Sequence, residues 1–128
     1  MPRNNLAAKQ SAEKRGRRSE MWAALLLMSK LYRILGRRVR TPAGEIDLIA
    51  RAPNGLLCFI EVKARSDALG AAQSVGGRQQ QRIARAAQHY LSRHPKLAAK
   101  GTRFDIIAVA PRTFPRHYPD AWRDDGGR

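Results

Sequence analysis

Residues 44–65, GEIDLIARAPNGLLCFIEVKAR, set two apolar runs on either side of a Pro-Asn-Gly turn. Runs of this length and composition, punctuated in this way, predict two paired strands. Their apolar richness predicts central rather than edge places in a sheet. Glu45, Asp47, Glu61 and Lys63 are nevertheless written into them. Burying charge without a partner or a cation is costly, so these groups either neutralise one another or hold something. Between residues 19 and 116 there are six acids, and Glu20, Glu45, Asp47 and Glu61 are four of them.

The rest of the chain supplies a frame for these strands. Residues 1–18 are polar and basic without apolar periodicity, which predicts a disordered arm. From Ser19, read as an N-cap, to about Tyr32 the spacing is helical. Glu20, Ala24, Leu27 and Leu31 fall on one inward stripe, flanked by Leu25, Met28 and Tyr32. YRILGRRVR predicts a strand and TPAG a turn. Residues 66–77 read as a loop, and a second helix runs from Arg78 to about Arg93 with Ile83, Ala87, Tyr90 and Leu91 inward. RFDIIAVA predicts a further strand, on which Asp105 is assigned an arginine partner. The Pro- and Gly-rich end reads as a tail. The expectation is an α/β domain over 19–116, ordered α-β-β-β-α-β, with a mixed, mostly four-stranded sheet between helices and a tail over 117–128.

Alternation along a strand puts Glu45 with Asp47 on one face and Glu61 with Lys63 on one face of the next. Adjacent strands lie about 4.8 Å apart, near enough for Asp47 and Glu61 to grip one ion if the register levels them. Mg²⁺ prefers a few carboxylate oxygens and keeps its remaining positions for water and substrate phosphate. A metal so held activates water and steadies charge on a phosphoryl group. Lys63 would position or help deprotonate the attacking water, and Glu20 could add an oxygen. The plainer alternative is that Glu61 and Lys63 join ordinary ion pairs and Glu45 ends a turn.

The charge narrows the partner. The chain carries 25 Lys+Arg against 10 Asp+Glu, a net charge of +15. Removing residues 1–18, with six basic groups and Glu13, leaves 19 against 9 and still +10. Nucleic acid is the first polyanion to consider. Arg78, Arg82, Arg85 and His89 line up on the second helix, and Arg33, Arg37, Arg38 and Arg40 form another basic group. Such contacts position a backbone without reading its sequence. His89, His94 and His117 lack zinc spacing, and no Gly-rich phosphate loop points to ATP. Trp22 and Trp122 read as packing residues rather than stacking platforms. The single cysteine, Cys58, reads as a small buried hydrophobe in a reducing compartment. The run MWAALLLM is too short for a bilayer, so the expectation is a cytoplasmic protein with no membrane association.

Gly16-x-x-x-Glu20, GEIDLIA, FIEVKAR, ALGAAQSV, RFDIIAV and HYPDAW together resemble the bacterial YraN family over about residues 16–122. By fold that family belongs to the PD-(D/E)XK, restriction-endonuclease-like nucleases and is similar to archaeal Holliday-junction resolvases. Asp47, thirteen intervening residues and Glu61-Val62-Lys63 fit the superfamily's signature. The resemblance implies that Asp47 and Glu61 ligate Mg²⁺ or Mn²⁺, that Lys63 assists catalysis and that Glu20 is the helix-borne acid. It marks Glu45 as characteristic of the group and Gln79 as an accessory position, and it implies a homodimer. Many members carry Asn at the position of Arg38 and Lys at that of Gln79; both departures are expected to leave the metal site untouched. The function expected is Mg²⁺-dependent endonucleolytic hydrolysis of DNA, branched or otherwise structured. Arg37, Arg38, Arg40, Arg78, Arg82 and Arg85 would hold the backbone. The alternative is a non-catalytic nucleic-acid-binding protein that keeps the fold as scaffold.

Overall fold

The computed structural model describes residues 17–64 and 76–124. The expected arm over 1–18 and loop over 66–77 lie almost wholly outside these residues. Helix α1 occupies 17–29. It is followed by β1 (Arg33–Thr41), β2 (Gly44–Arg51), β3 (Leu57–Ala64), α2 (Gly77–Arg93), a 3₁₀ turn (Pro95–Ala98), β4 (Thr102–Val109) and β5 (Arg116–Trp122). The five strands form one sheet in the order β1-β2-β3-β4-β5. Only β3 and β4 pair in parallel, and α2 lies in the crossover between them. A parallel pair needs such a crossover, because no hairpin can join its ends.

The helices cover opposite faces of the sheet. Ala23, Ala24 and Leu27 of α1 pack on Leu48, Ala50, Cys58, Ile60 and Ile107. Ala86 and Ala87 of α2 pack on Ile46, Ile49, Leu57 and Phe59. Cys58 and Ile60 therefore face α1 while Leu57 and Phe59 face α2. A strand covered on both faces has to be apolar at consecutive positions, which is why LLCFI is an unbroken run. Each such buried Leu, Ile or Phe contributes about 1.5–3 kcal/mol. Cys58 is fully buried and burial pushes its thiol up to about 11, so it is the inert small hydrophobe expected. Among the described residues no helix is long and apolar enough to cross a membrane.

Three expectations are corrected. The sheet has five strands, not four, because residues read as the start of the tail form β5. Pro119 is tolerated there because β5 is an edge strand. Its ladder with β4 slips between Phe104 and Ile106, and at the slip the Asp120 amide donates to Asp105 Oδ1 (3.0 Å). Next, Ser19 lies inside α1 and does not cap it. Finally, Leu31 is 81% exposed rather than inward. Helix α1 ends before it: Tyr32 N–H donates to Leu27 O (2.9 Å) and Leu31 N–H to Met28 O (3.0 Å). This is a Schellman ending, and Leu31, at φ 67°, occupies the left-handed position that glycine usually takes.

Asp105 received the arginine partner expected for it. Its fully buried carboxylate accepts from Arg103 Nε and Nη2, both at 2.8 Å, and lies 2.7 Å from His117 Nε2. Arg103 Nη2 also donates to the Tyr32 hydroxyl (2.7 Å). This network ties β4, β5 and the end of α1 together. Burial pushes the Asp105 pKa up, but the donors facing it outweigh that and hold it below the ordinary value.

Candidate active site

Strands β2 and β3 pair from Arg51↔Leu57 to Leu48↔Ile60. The next residue, Asp47, would stand level with Glu61 if the ladder continued. Instead its Oδ2 accepts the backbone N–H of Val62 (2.8 Å). A side-chain oxygen thus takes a main-chain amide of β3, and the carboxylate is drawn between the parting strands. There its charge presses on Glu61.

Glu61 and Lys63 share a face of β3, with Lys63 Nζ 3.6 Å from Glu61 Oε1. Gln79, in the first turn of α2, clamps the pair: its Nε2 donates to Glu61 Oε1 (2.9 Å) and its Oε1 accepts from Lys63 Nζ (3.2 Å). Helix α2 reaches this position partly because it lies close over the start of β2. A Cβ on Gly44, at φ 154°, would stand 2.9 Å from Arg82 Cγ. The glycine of GEID therefore makes room for the stem of Arg82.

The two carboxylates are hard to ionise. Burial pushes Asp47 up to about 6, helped by the charges of Glu20 and Glu45 and opposed by the Val62 amide and Lys63. Burial and Asp47 push Glu61 up to about 7, against the pull of Lys63. Two acids crowded into one partly dry place resist carrying two charges, and a divalent cation would relieve both. The donor set fits Mg²⁺ or Mn²⁺, which need only one or two protein carboxylates beside substrate phosphate. Among the described residues no group of three or more His, Cys, Asp and Glu side chains is placed to hold a metal.

Glu20 is near enough for its charge to raise Asp47, but its Oε2 is ion-paired with Arg38 Nε at 2.6 Å. Arg38 stands opposite Asp47, between the pairs Arg37↔Leu48 and Val39↔Ile46. Arg38 and Gln79, the two positions expected to leave the site untouched, therefore both reach the cluster: Arg38 through Glu20, and Gln79 through Glu61 and Lys63. The spacing of the sequence carries no sign of either contact, because each joins separate elements. Glu45 is exposed and pairs loosely with the solvated Arg40 at 3.4 Å, a geometry worth less than about 1 kcal/mol. Arg37, Arg78, Arg82 and Arg85 are exposed, whereas Arg38 is part-buried. Trp122 packs as expected, stacked on Phe104 with ring centroids 4.1 Å apart. Trp22 does not, being 56% exposed.

The fold and site define an α/β domain with a part-buried pair of acids and a lysine where its central strands part. The sequence model of the Uncharacterised protein family UPF0102 matches residues 19–109. The chain belongs to that family, which is the YraN family. A UPF0102 protein of Parvibaculum lavamentivorans is 46% identical over 121 residues, covering 94% of this chain and 90% of the relative. One from Agrobacterium fabrum is 50% identical over 114 residues, covering 89% and 93%. One from Bradyrhizobium sp. is 55% identical over 107 residues, covering 84% and 75%.

Proposed function

We propose that this protein is a PD-(D/E)XK-type endonuclease that hydrolyses phosphodiester bonds in DNA with Mg²⁺ or Mn²⁺, in the cytoplasm and as a homodimer. The observation that carries the reading is the crossing of Asp47 from β2 to the Val62 amide, which joins it to Glu61 with Lys63 alongside. Asp47 and Glu61 would hold the cation, which supplies positive charge to polarise the phosphate and make water more acidic. Lys63 Nζ orients the attacking water or the phosphate oxygen nearest it. Gln79 fixes Lys63 and Glu61 relative to each other, and pre-set geometry of this kind lowers the barrier without moving at the moment of reaction. The exposed arginines Arg37, Arg40, Arg78, Arg82 and Arg85 carry the phosphate backbone past the cluster.

The test is purified protein with Mg²⁺ or Mn²⁺ on single-stranded, duplex, flap and four-way DNA. Cleavage abolished by Asp47→Asn with binding retained supports the reading; failure to cut any of the four would end it. One observation favours a second reading, a nucleic-acid-binding module without catalysis. Glu20, the acid that the helix offers to the site, is held by Arg38. Under that reading no metal-dependent cleavage exists for Asp47→Asn to remove.

A further inference from the structure

Phe114 is 93% exposed, the most exposed large apolar side chain among the described residues. It stands on a turn built to keep its shape. Pro111 and Pro115 restrict the backbone on either side. Thr113 Oγ1 donates to Ala110 O (3.2 Å), and Arg112 takes a left-handed conformation at φ 62°. A large ring held out in water by a stiffened turn calls for a partner.

The ring overhangs an open groove of about 700 Å³ walled by Trp22, Ala64 and Val109, with Arg18 and Arg112 also lining it. Trp22 is itself 56% exposed. Flat aromatic surfaces beside guanidinium groups make the combination that holds an unstacked base and its phosphate. An ordinary protein-binding patch would not need the cations, and the net charge of +15 points to a polyanion.

The position of the groove matters as much as its chemistry. Strands β3 and β4 end together, with Lys63 level with Ala108 and Ala64 level with Val109. Successive strand residues face opposite sides of the sheet, about 3.3 Å apart along it. Lys63 thus serves the carboxylate cluster and Ala64 the groove, round the end of one strand. The first turns of α1 repeat the arrangement, since Ser19 and Trp22 line the groove while Glu20 meets Arg38 near Asp47.

We infer that this groove is a subsite for an unpaired nucleobase of single-stranded DNA, stacked on Phe114 and Trp22 with Arg18 and Arg112 on its phosphates. The inference rests on the proposed function and specifies its substrate: DNA with unpaired nucleotides beside the scissile phosphate. A fully paired duplex, whose bases are stacked inside, cannot fill the site.

The test uses the full-length chain carrying Asp47→Asn, in EDTA, with fluorescein-labelled dT20 and a blunt 20-base-pair duplex read by anisotropy. Replacing Phe114 by Ala should weaken dT20 binding about ten-fold, in line with the loss of one stacked base, and change duplex binding less than about two-fold. Phe114→Tyr should restore dT20 binding. In a Trp122→Phe background, dT20 but not duplex should quench the fluorescence of Trp22. Equal weakening on both DNAs, or none on either, would overturn the inference while leaving the proposed function standing. Failure of the parent to bind either DNA would overturn both. A change in oligomeric state in Phe114→Ala by light scattering would make a second copy the occupant and overturn it. So would a fall of several degrees in its melting temperature, which would mean that the chain itself covers the ring.

Discussion

Asp47→Asn should stabilise the protein at alkaline pH while removing its proposed activity. An acid whose pKa is raised by folding binds its proton more tightly in the native state than in the unfolded chain. Its penalty on stability is therefore full above the native pKa, shrinks as the pH falls through it, and vanishes below the unfolded value. For Asp47 the pKa rises from 3.8 to about 6, which costs about 3 kcal/mol at pH 8, about half that at pH 5, and almost nothing below pH 4. Asparagine keeps an oxygen for the Val62 amide, and the charge lost from that hydrogen bond is already contained in the shifted pKa. The gain is therefore about 3 kcal/mol at pH 8, or roughly 8–15 °C in Tm, falling to about zero below pH 4. Thermal melts of both proteins from pH 4 to 8.5 in EDTA provide the assay. Mg²⁺ should then raise the Tm of the wild type at pH 8 and leave Asp47→Asn almost unchanged. A variant less stable than wild type at pH 8, or a gain that does not depend on pH, would refute the claim that burial of the Asp47 charge strains the fold.

Further outcomes can be stated. Gln79→Lys brings a second ammonium to Glu61, so the Glu61 pKa should fall and stability at pH 8 rise by about 1 kcal/mol, read in the same melts. Leu31→Gly should raise the unfolding free energy by about 1 kcal/mol by relieving the left-handed C′ residue of α1, as measured by urea denaturation. Asp105→Asn should cost about 3–5 kcal/mol, since it strips a part-buried Arg103 and His117 of their fully buried carboxylate, and amide exchange at Asp120 should quicken. Because the Asp105 pKa is lowered by folding, its contribution is present above the unfolded pKa and lost as the pH falls through the native one. A wild-type stability profile with no acid limb would contradict that sign.

Most of the sheet was legible because buried strands write themselves as apolar runs. Strand β3 is covered on both faces and reads LCFI, so its place near the centre followed directly. Strand β5 was not legible, because an edge strand can hold Pro119 and a slip in register that a central strand could not. The end of α1 misled for a local reason: three- and four-residue spacing continues through Leu31, but the left-handed residue breaks the helix axis first. Within the site, Glu61 and Lys63 were readable as a pair because strand alternation is local. The partners of Glu61 on α2 and of Glu20 on β1 were not, since they depend on how the helices seat on the sheet. The base groove was missed because Trp22 lies among apolar neighbours in sequence, and only the packed helix turns it outward.

Arg38 and Gln79 are best understood together. The φ of Arg38 is 49°, a conformation that asparagine adopts more readily and that costs arginine about 1 kcal/mol. That cost is met by the 2.6 Å contact to a buried Glu20, which places a guanidinium where the resemblance implies a neutral amide. At position 79 the exchange runs the other way, a neutral amide standing where the resemblance implies an ammonium group. Relative to that implied pattern, the cluster would keep its number of cations with one moved from the Glu61 side to the Glu20 side. With Arg38 beside it, Glu20 is drawn towards β1. With burial and the charge of Asp47 set against Gln79 and Lys63, Glu61 retains a pKa of about 7. The carboxylates left least neutralised are Asp47 and Glu61, the pair that a divalent cation between β2 and β3 would meet. On the proposed function, affinity for such an ion would thus rest on two acids, with Glu20 acting on Asp47 chiefly through its field.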